Sequence, residues 1–251
     1  MKLLFLGTGA SMGIPVIGCD CAVCKSPNPH NKRRRSSALL SIDGKRFLID
    51  AGPDFRAQAL EYGIDRLDGL LLTHTHYDHI AGIDELRIYY FLQNGPLPTL
   101  LSKATCEELK RRYPYLFAED VERTSAAKLL WHVLEDEVGV VEFEGVRFEY
   151  LSYLQARMQV TGYRIGDLAY VTDIQNGDEL IKPLQGVKKL VVNALRERAS
   201  PVHLTVPEAI DFAQKVGAEQ TYFMHIDHEA NIEMELPSGM QFAYDGLEVE
   251  F

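Results

Sequence analysis

The sequence predicts an α/β protein, with two mixed β-sheets and helices outside them. Two observations lead there. Some short apolar strands come in hairpins, turning at Asp43-Gly44, Glu144-Gly145, Gly166-Asp167 and Asp245-Gly246, while others alternate with helical segments. Both arrangements are spread along the chain, with no Pro/Gly/Ser-rich linker and no repeat of fixed period. One domain over residues 1–251 is therefore the economical reading.

Taken in order, residues 2–6 read as a first strand, and Gly7 and Gly9 permit a tight turn into a loop that runs to about residue 35. Residues 37–42 and 46–50 are strands. Asp50-Ala51-Gly52 then places a carboxylate at a strand end, either to support a ligating histidine or as a plain turn. Residues 54–62 are helical up to Gly63, 67–72 form a buried strand, and 83–90 form a helix entered at Gly82. Residues 98–101 are a short strand and 105–112 a helix. Residues 113–131 show no period, and a loop of that length is expected to be a flap over the site. The middle hairpins pair 140–143 with 147–151, and 161–165 with 169–172, after which Asp173 stands at a strand end as Asp50 does. Residues 189–193 are a strand. Thr205-Val206-Pro207-Glu208 is a capping box that opens a helix to about residue 216. Residues 220–224 form the strand that leads into His225-Ile226-Asp227-His228.

A chain of 251 residues can bury a substantial core. The formal net charge of -10 argues against a polynucleotide as main partner, because phosphate binding is driven by Lys and Arg. The basic run Lys32-Arg33-Arg34-Arg35 is either a solvated loop or a seat for a small anion. Only four apolar residues follow Met1-Lys2, too few for a signal-peptide core, and no stretch approaches a membrane span of ~20 residues. Three of the four cysteines fall in Cys19-Asp20-Cys21-Ala22-Val23-Cys24. Neighbours so close are poor disulfide partners and good metal ligands, so a reducing cytoplasm is expected. Cys106 reads as an ordinary helix residue.

The chemistry is concentrated in Thr73-His74-Thr75-His76-Tyr77-Asp78-His79, a strand-to-helix loop behind the apolar run 70–72. His74 and His76 can reach one cation, and Asp78 and His79 a second. Imidazole with carboxylate suits zinc, manganese or iron.

The order of that motif, Asp173 and His225 resembles the metallo-β-lactamase fold superfamily. Finer features are similar to its PhnP-like phosphodiesterases, and they run from residue 3 to residue 250. They are Leu6-Gly7-Thr8-Gly9, Gly18-Cys19-Asp20-Cys21 with Cys24, Arg33-Arg34-Arg35-Ser36-Ser37 and Leu48-Ile49-Asp50-Ala51-Gly52-Pro53-Asp54. Further on come Asp84-Glu85-Leu86-Arg87, Gly162-Tyr163-Arg164 and Tyr244-Asp245-Gly246-Leu247. The resemblance implies an αββα sandwich. It implies a first metal on His74, His76 and Asp173, with Gln155 standing where the family has a third histidine. The second metal would take Asp78, His79, the shared Asp173 and His225. A separate structural zinc would take Cys19, Cys21, Cys24 and His228. His203 matches the general acid, and the catalytic candidates are His203 and Asp78. Asn193 stands where the family often has Asp.

The implied activity is cytoplasmic hydrolysis of a small phosphate diester by hydroxide held on two divalent metals, manganese or zinc, with no covalent intermediate. A glutamine is neutral and a weaker ligand than imidazole, so the first metal position is expected to be weak or empty. A homodimer is compatible with this reading. The alternatives are a nuclease resembling the tRNA 3′-processing members, a PqqB-like protein with altered ligands, and a metal-stabilised protein that has lost hydrolysis. Gln155 is the residue that argues for the last.

Overall fold

The structure, a computed structural model, describes residues 1–118 and 125–251. Fourteen strands form two seven-stranded sheets. The first holds β1 (Lys2–Gly7), β2 (Ser37–Ile42), β3 (Lys45–Ile49), β4 (Gly69–Leu71), β5 (Leu97–Ser102) and β6 (Leu129–Leu134), with β14 (Glu248–Glu250) beside β1. The second holds β7 (Val138–Phe143), β8 (Val146–Gln155), β9 (Met158–Ile165), β10 (Leu168–Val171), β11 (Lys189–Asn193), β12 (Gln220–Met224) and β13 (Met240–Phe242). Each sheet is antiparallel at one side and parallel at the other. β3 to β6 run parallel in the first, and β10 to β13 in the second.

Alternation decides which face of each strand is buried where. Leu3, Phe5, Leu40 and Phe47 point into a shared core with Phe148, Tyr163, Tyr170 and Val191 of the other sheet. Leu48, Leu70 and Leu72 point the other way, onto α2 (Phe55–Glu61) and the segment from Ile83 through α4 (Arg87–Gln93). Leu190, Val192 and Phe223 do the same for the second sheet, against α6 (Ile181–Leu184) and α7 (Val206–Val216). The layers are thus α/β/β/α, the predicted sandwich. The remaining helices are α1 (Ala22–Lys25), α3 (Tyr77–Ile80) and α5 (Lys103–Arg112).

The turn chemistry behaves as the sequence predicts at β2–β3, where Asp43 and Gly44 both take left-handed φ, and again at Glu144-Gly145. The capping box on α7 is present in full: Thr205 caps the Glu208 amide and Glu208 returns to Thr205 N at 2.8 Å. Such a cap contributes about 1 kcal/mol.

Three expectations are corrected. Asp245-Gly246 does not close a hairpin, because β13 lies in the second sheet and β14 in the first. The Asp245 carboxylate accepts from Thr8 N (2.9 Å), Thr8 Oγ1 (2.7 Å) and Arg34 N (2.7 Å), which fastens the turn across to the first sheet. The histidine motif is not all loop. α3 begins at Tyr77, before Gly82, so Asp78 and His79 sit on one helical turn. Within the expected flap, Trp131 belongs to β6 and stacks on Phe117 at 4.3 Å, and residues 119–124 lie outside the described residues. Leu129-Leu130-Trp131-His132-Val133-Leu134 is apolar at nearly every position, so it has no period-2 alternation to reveal the edge strand.

The basic run is a set of staples. Arg33 is buried and donates to Thr8 Oγ1 (2.8 Å), while Arg34 pairs with Glu61 (2.6 Å) and Arg35 with Asp54 (3.0 Å).

Candidate metal centre

Parallel strands bring their carboxyl ends to one edge, where open α/β sheets place ligands. Asp50 and Thr73 follow β3 and β4 at that edge of the first sheet, and Asp173 and His225 follow β10 and β12 at the facing edge of the second. Asp50, Asp173 and His225 all adopt left-handed φ, at 59°, 57° and 55°. Backbone strain of about 1 kcal/mol or more at each turns a side chain inward where a strand stops.

Asp50 organises the motif. Its carboxylate accepts from Thr73 N (2.8 Å), Thr73 Oγ1 (2.6 Å) and His79 Nδ1 (2.6 Å). Thr73 has one hydroxyl proton and gives it to Asp50, so its oxygen must accept the proton of His74 Nδ1, 2.9 Å away. As neutral rings both histidines carry their proton on Nδ1 and turn Nε2 inward, free to take a proton or a cation. Asp50 thus holds Thr73 and His79 in place, and the plain-turn reading falls. The pieces come this close because Gly52 has no side chain: a Cβ there would lie 2.1 Å from Asp78 O.

Asp173 stands at the middle of the group. Its Oδ1 lies 3.3 Å from His79 Nε2 and accepts from Thr172 Oγ1 at 2.8 Å. Its Oδ2 faces His225 Nε2 (3.6 Å), His74 Nε2 (3.7 Å) and His76 Nδ1 (4.0 Å). Asp78 Oδ2 completes the group, 3.3 Å from His225 Nε2 and 3.5 Å from His79 Nε2. Two donors on one zinc ion stand about 3.4 Å apart across a tetrahedral angle. Asp78, His79 and His225 meet that spacing, Asp173 reaches His79 Nε2 through Oδ1 and His225 Nε2 through Oδ2, and His79 Nε2 is buried with no hydrogen-bond partner. These four residues fit a divalent cation.

Gln155, at the end of β8, does not fit as a ligand. Its Nε2 donates to Val202 O at 3.1 Å and points the N–H end, not the carbonyl, at Asp173 Oδ2 (3.5 Å). The carbonyl Oε1 is buried with no hydrogen-bond partner, and it is Nε2 that faces Asp173. His203, just ahead of α7, has Nδ1 3.8 Å from Asp173 Oδ2 and its ring 4.7 Å from that of His225.

The cysteine cluster lies beyond His225. The Sγ atoms of Cys19, Cys21 and Cys24 stand 3.3, 3.5 and 3.5 Å from His228 Nδ1. A tetrahedral zinc site with three thiolates and one imidazole would set each of those distances near 3.6 Å. Cys106 is buried in α5, apart from the cluster.

The chain matches the model of the beta-lactamase superfamily domain over residues 45–226. A solved diphosphatase of the PhnP family superposes with a TM-score of 0.91 at 37% identity, covering 100% of this chain and 96% of that one. The chain belongs to the metallo-β-lactamase fold superfamily of hydrolases, in its PhnP-like branch. An octanoyltransferase of Porphyromonas gingivalis (strain ATCC BAA-308 / W83) is 36% identical over 255 residues, 99% of this chain and 51% of that protein. The chain thus spans about half the length of that relative. Zinc-bound PqqB of Methylobacterium extorquens shares the fold, with a TM-score of 0.79 at 19% identity over all of both chains.

For a metallo-β-lactamase fold, the electrostatics of the centre are telling. Burial presses the His79 imidazolium down, but Asp173, Asp78 and Asp50 outweigh it and hold its pKa well above the ordinary value. Burial likewise opposes Asp173 ionisation, and His225, His79 and His74 reverse it. Burial, then His79, keeps His74 neutral well below its usual range. The pole around His79 thus attracts positive charge. Among the described residues no Lys or Arg pairs with Asp50, Asp78 or Asp173 to supply it.

The contacts of Thr73, Asn193 and Arg112 are not predicted from the sequence. Thr73 was visible inside the motif. Asn193 at the end of β11 accepts from Ile174 N (2.7 Å) and donates to Ile174 O (3.2 Å), clamping the backbone beside Asp173. Its position at a strand end, like Asp50 and Asp173, was the available signal. Arg112 reaches from α5 to Thr75 O at 2.6 Å, and no local pattern announces that contact. Among the described residues no helix is long and apolar enough to cross a membrane.

Proposed function

We propose that this chain hydrolyses a small phosphate diester, with Asp78, His79, Asp173 and His225 holding a divalent cation and Cys19, Cys21, Cys24 and His228 a structural zinc. The observation that carries the reading is the bare, buried Nε2 of His79 facing two carboxylate oxygens beside His203. A cation bound there supplies an acidified water and polarises the phosphoryl group.

The protein's own groups do the rest. Asp50 and Thr73 keep the imidazoles in the tautomer that faces inward. His203 and His225 line a cavity of about 180 Å³ together with Ser11, Met12, Val16 and Leu195. That volume is below the ~300 Å³ of ordinary ligand pockets and suits a small departing group. In this reading His203 gives the leaving alkoxide a proton. Burial, then the neighbouring His225, pushes its pKa down to about 4, and a phosphate anion beside it would draw the pKa back up.

A second reading is hydrolysis of a diphosphate, favoured by the 37% identity with the diphosphatase over the whole chain. Octanoyl transfer is left with the whole relative, of which this chain matches 51%. The test is turnover of bis(p-nitrophenyl) phosphate, a ribose cyclic phosphate and an alkyl diphosphate, with zinc or manganese saturating. Turnover of the diphosphate with neither diester touched would replace the first reading by the second.

A further inference from the structure

The two poles of the centre satisfy their bare imidazole nitrogens differently. The neutral His79 ring has its proton on Nδ1, and its Nε2 faces carboxylate oxygens of Asp173 and Asp78, at 3.3 and 3.5 Å. Lone pairs facing lone pairs repel unless a positive charge sits between them. His74 Nε2 is bare for the same reason, but His76 Nδ1 lies 2.9 Å away. An N–H on His76 completes that contact with no cation at all.

The next neighbour at the His74 pole is Gln155. Its orientation follows from Val202: turning the amide over would set Gln155 Oε1 against Val202 O at about the 3.1 Å now spanned by a hydrogen bond, two acceptors in contact. The Nε2 end therefore stays inward. It stands 3.5 Å from Asp173 Oδ2 and 3.3 Å from each ring nitrogen of His203, beside the carbon between them. A protonated amide nitrogen cannot coordinate a metal. Its hydrogens instead place positive charge near the oxygen that a second cation would share.

We propose that this is a one-cation centre: Asp78, His79, Asp173 and His225 hold a divalent metal tightly. The Gln155 amide takes the place of the second cation against Asp173 and the His203 ring. This adds to the hydrolytic reading without depending on it, since the count is made with no substrate present.

The experiment loads the full chain and its Gln155→His variant with zinc chloride, dialyses both against metal-free buffer, and counts zinc by mass spectrometry. Two ions per wild-type chain are expected, one at the cysteines and one at the centre. In Gln155→His a third should be retained, its affinity raised at least ~10-fold by the added imidazole. Three in the wild type, or no gain in a variant that melts like the wild type, overturns the proposal. Should the variant not fold, anomalous diffraction at the zinc edge from wild-type crystals decides. One peak among Asp78, His79, Asp173 and His225 supports it, and a peak between His74 and His76 overturns it.

Discussion

In the cysteine cluster three sulfurs surround His228 Nδ1 at 3.3 to 3.5 Å, whereas the centre spreads its donors 3.3 to 4.0 Å from Asp173. The first is a closed cage. Three of its members come from six consecutive residues, and Cys24 N donates to Cys21 Sγ at 3.4 Å within that turn. That bond, then His228, brings the Cys21 thiol down to about 6, ready to bind metal at neutral pH. The second is assembled from strand ends of two sheets, leaves a cavity on the His203 side, and pairs an orphaned nitrogen with a satisfied one. In the proposed reading the cage would bind its cation for stability, and the open cluster would use one for chemistry. The two meet physically through the loop that begins at Gly9, since Ala10 N bonds to Ile226 O at 2.9 Å between His225 and His228.

The comparison breaks most sharply at Asp173. Asp173→Ala should lose the centre's cation and lower diester turnover by ~10⁴-fold or more, with the cysteine zinc retained. If zinc in the centre survives, the shared carboxylate does not have the weight given to it. His203→Ala should keep every metal and cost ~10²–10⁴-fold, less with a nitrophenolate leaving group than with an alkoxide. Equal losses on the two substrates would make His203 a binding residue.

Asp50→Asn tests the support behind the ligands. An amide cannot accept at every one of the three contacts that Asp50 now makes, so His79 and Thr73 lose their orientation. Zinc affinity at the centre should fall 10–100-fold while that of the cysteine cluster is unchanged. The smallest effect on turnover is expected for Cys21→Ser. One zinc per chain should be lost and the melting temperature should drop, because binding free energy there is folding free energy. Unchanged zinc stoichiometry would remove the cage from the account, and a collapse of turnover as large as that of Asp173→Ala would erase the division between the two sites.

What the sequence by itself determined is whatever depends on near neighbours. Asp43-Gly44 and Glu144-Gly145 name their turns because φ > 0 at both positions is a local demand. The capping box on α7 is local for the same reason. Three cysteines in six residues and three histidines in six announce metal chemistry, since side chains so close can hardly avoid sharing a ligand. The tertiary structure decided everything that depends on which strand lies beside which. β14 left its apparent hairpin to pair with β1, because Asp245 is held by Thr8 and Arg34 more than 200 residues away in the chain. It also decided which end of Gln155 faces Asp173. An amide is nearly symmetric in shape, so only the acceptor at Val202, brought there by the chain leading into α7, tells nitrogen from oxygen.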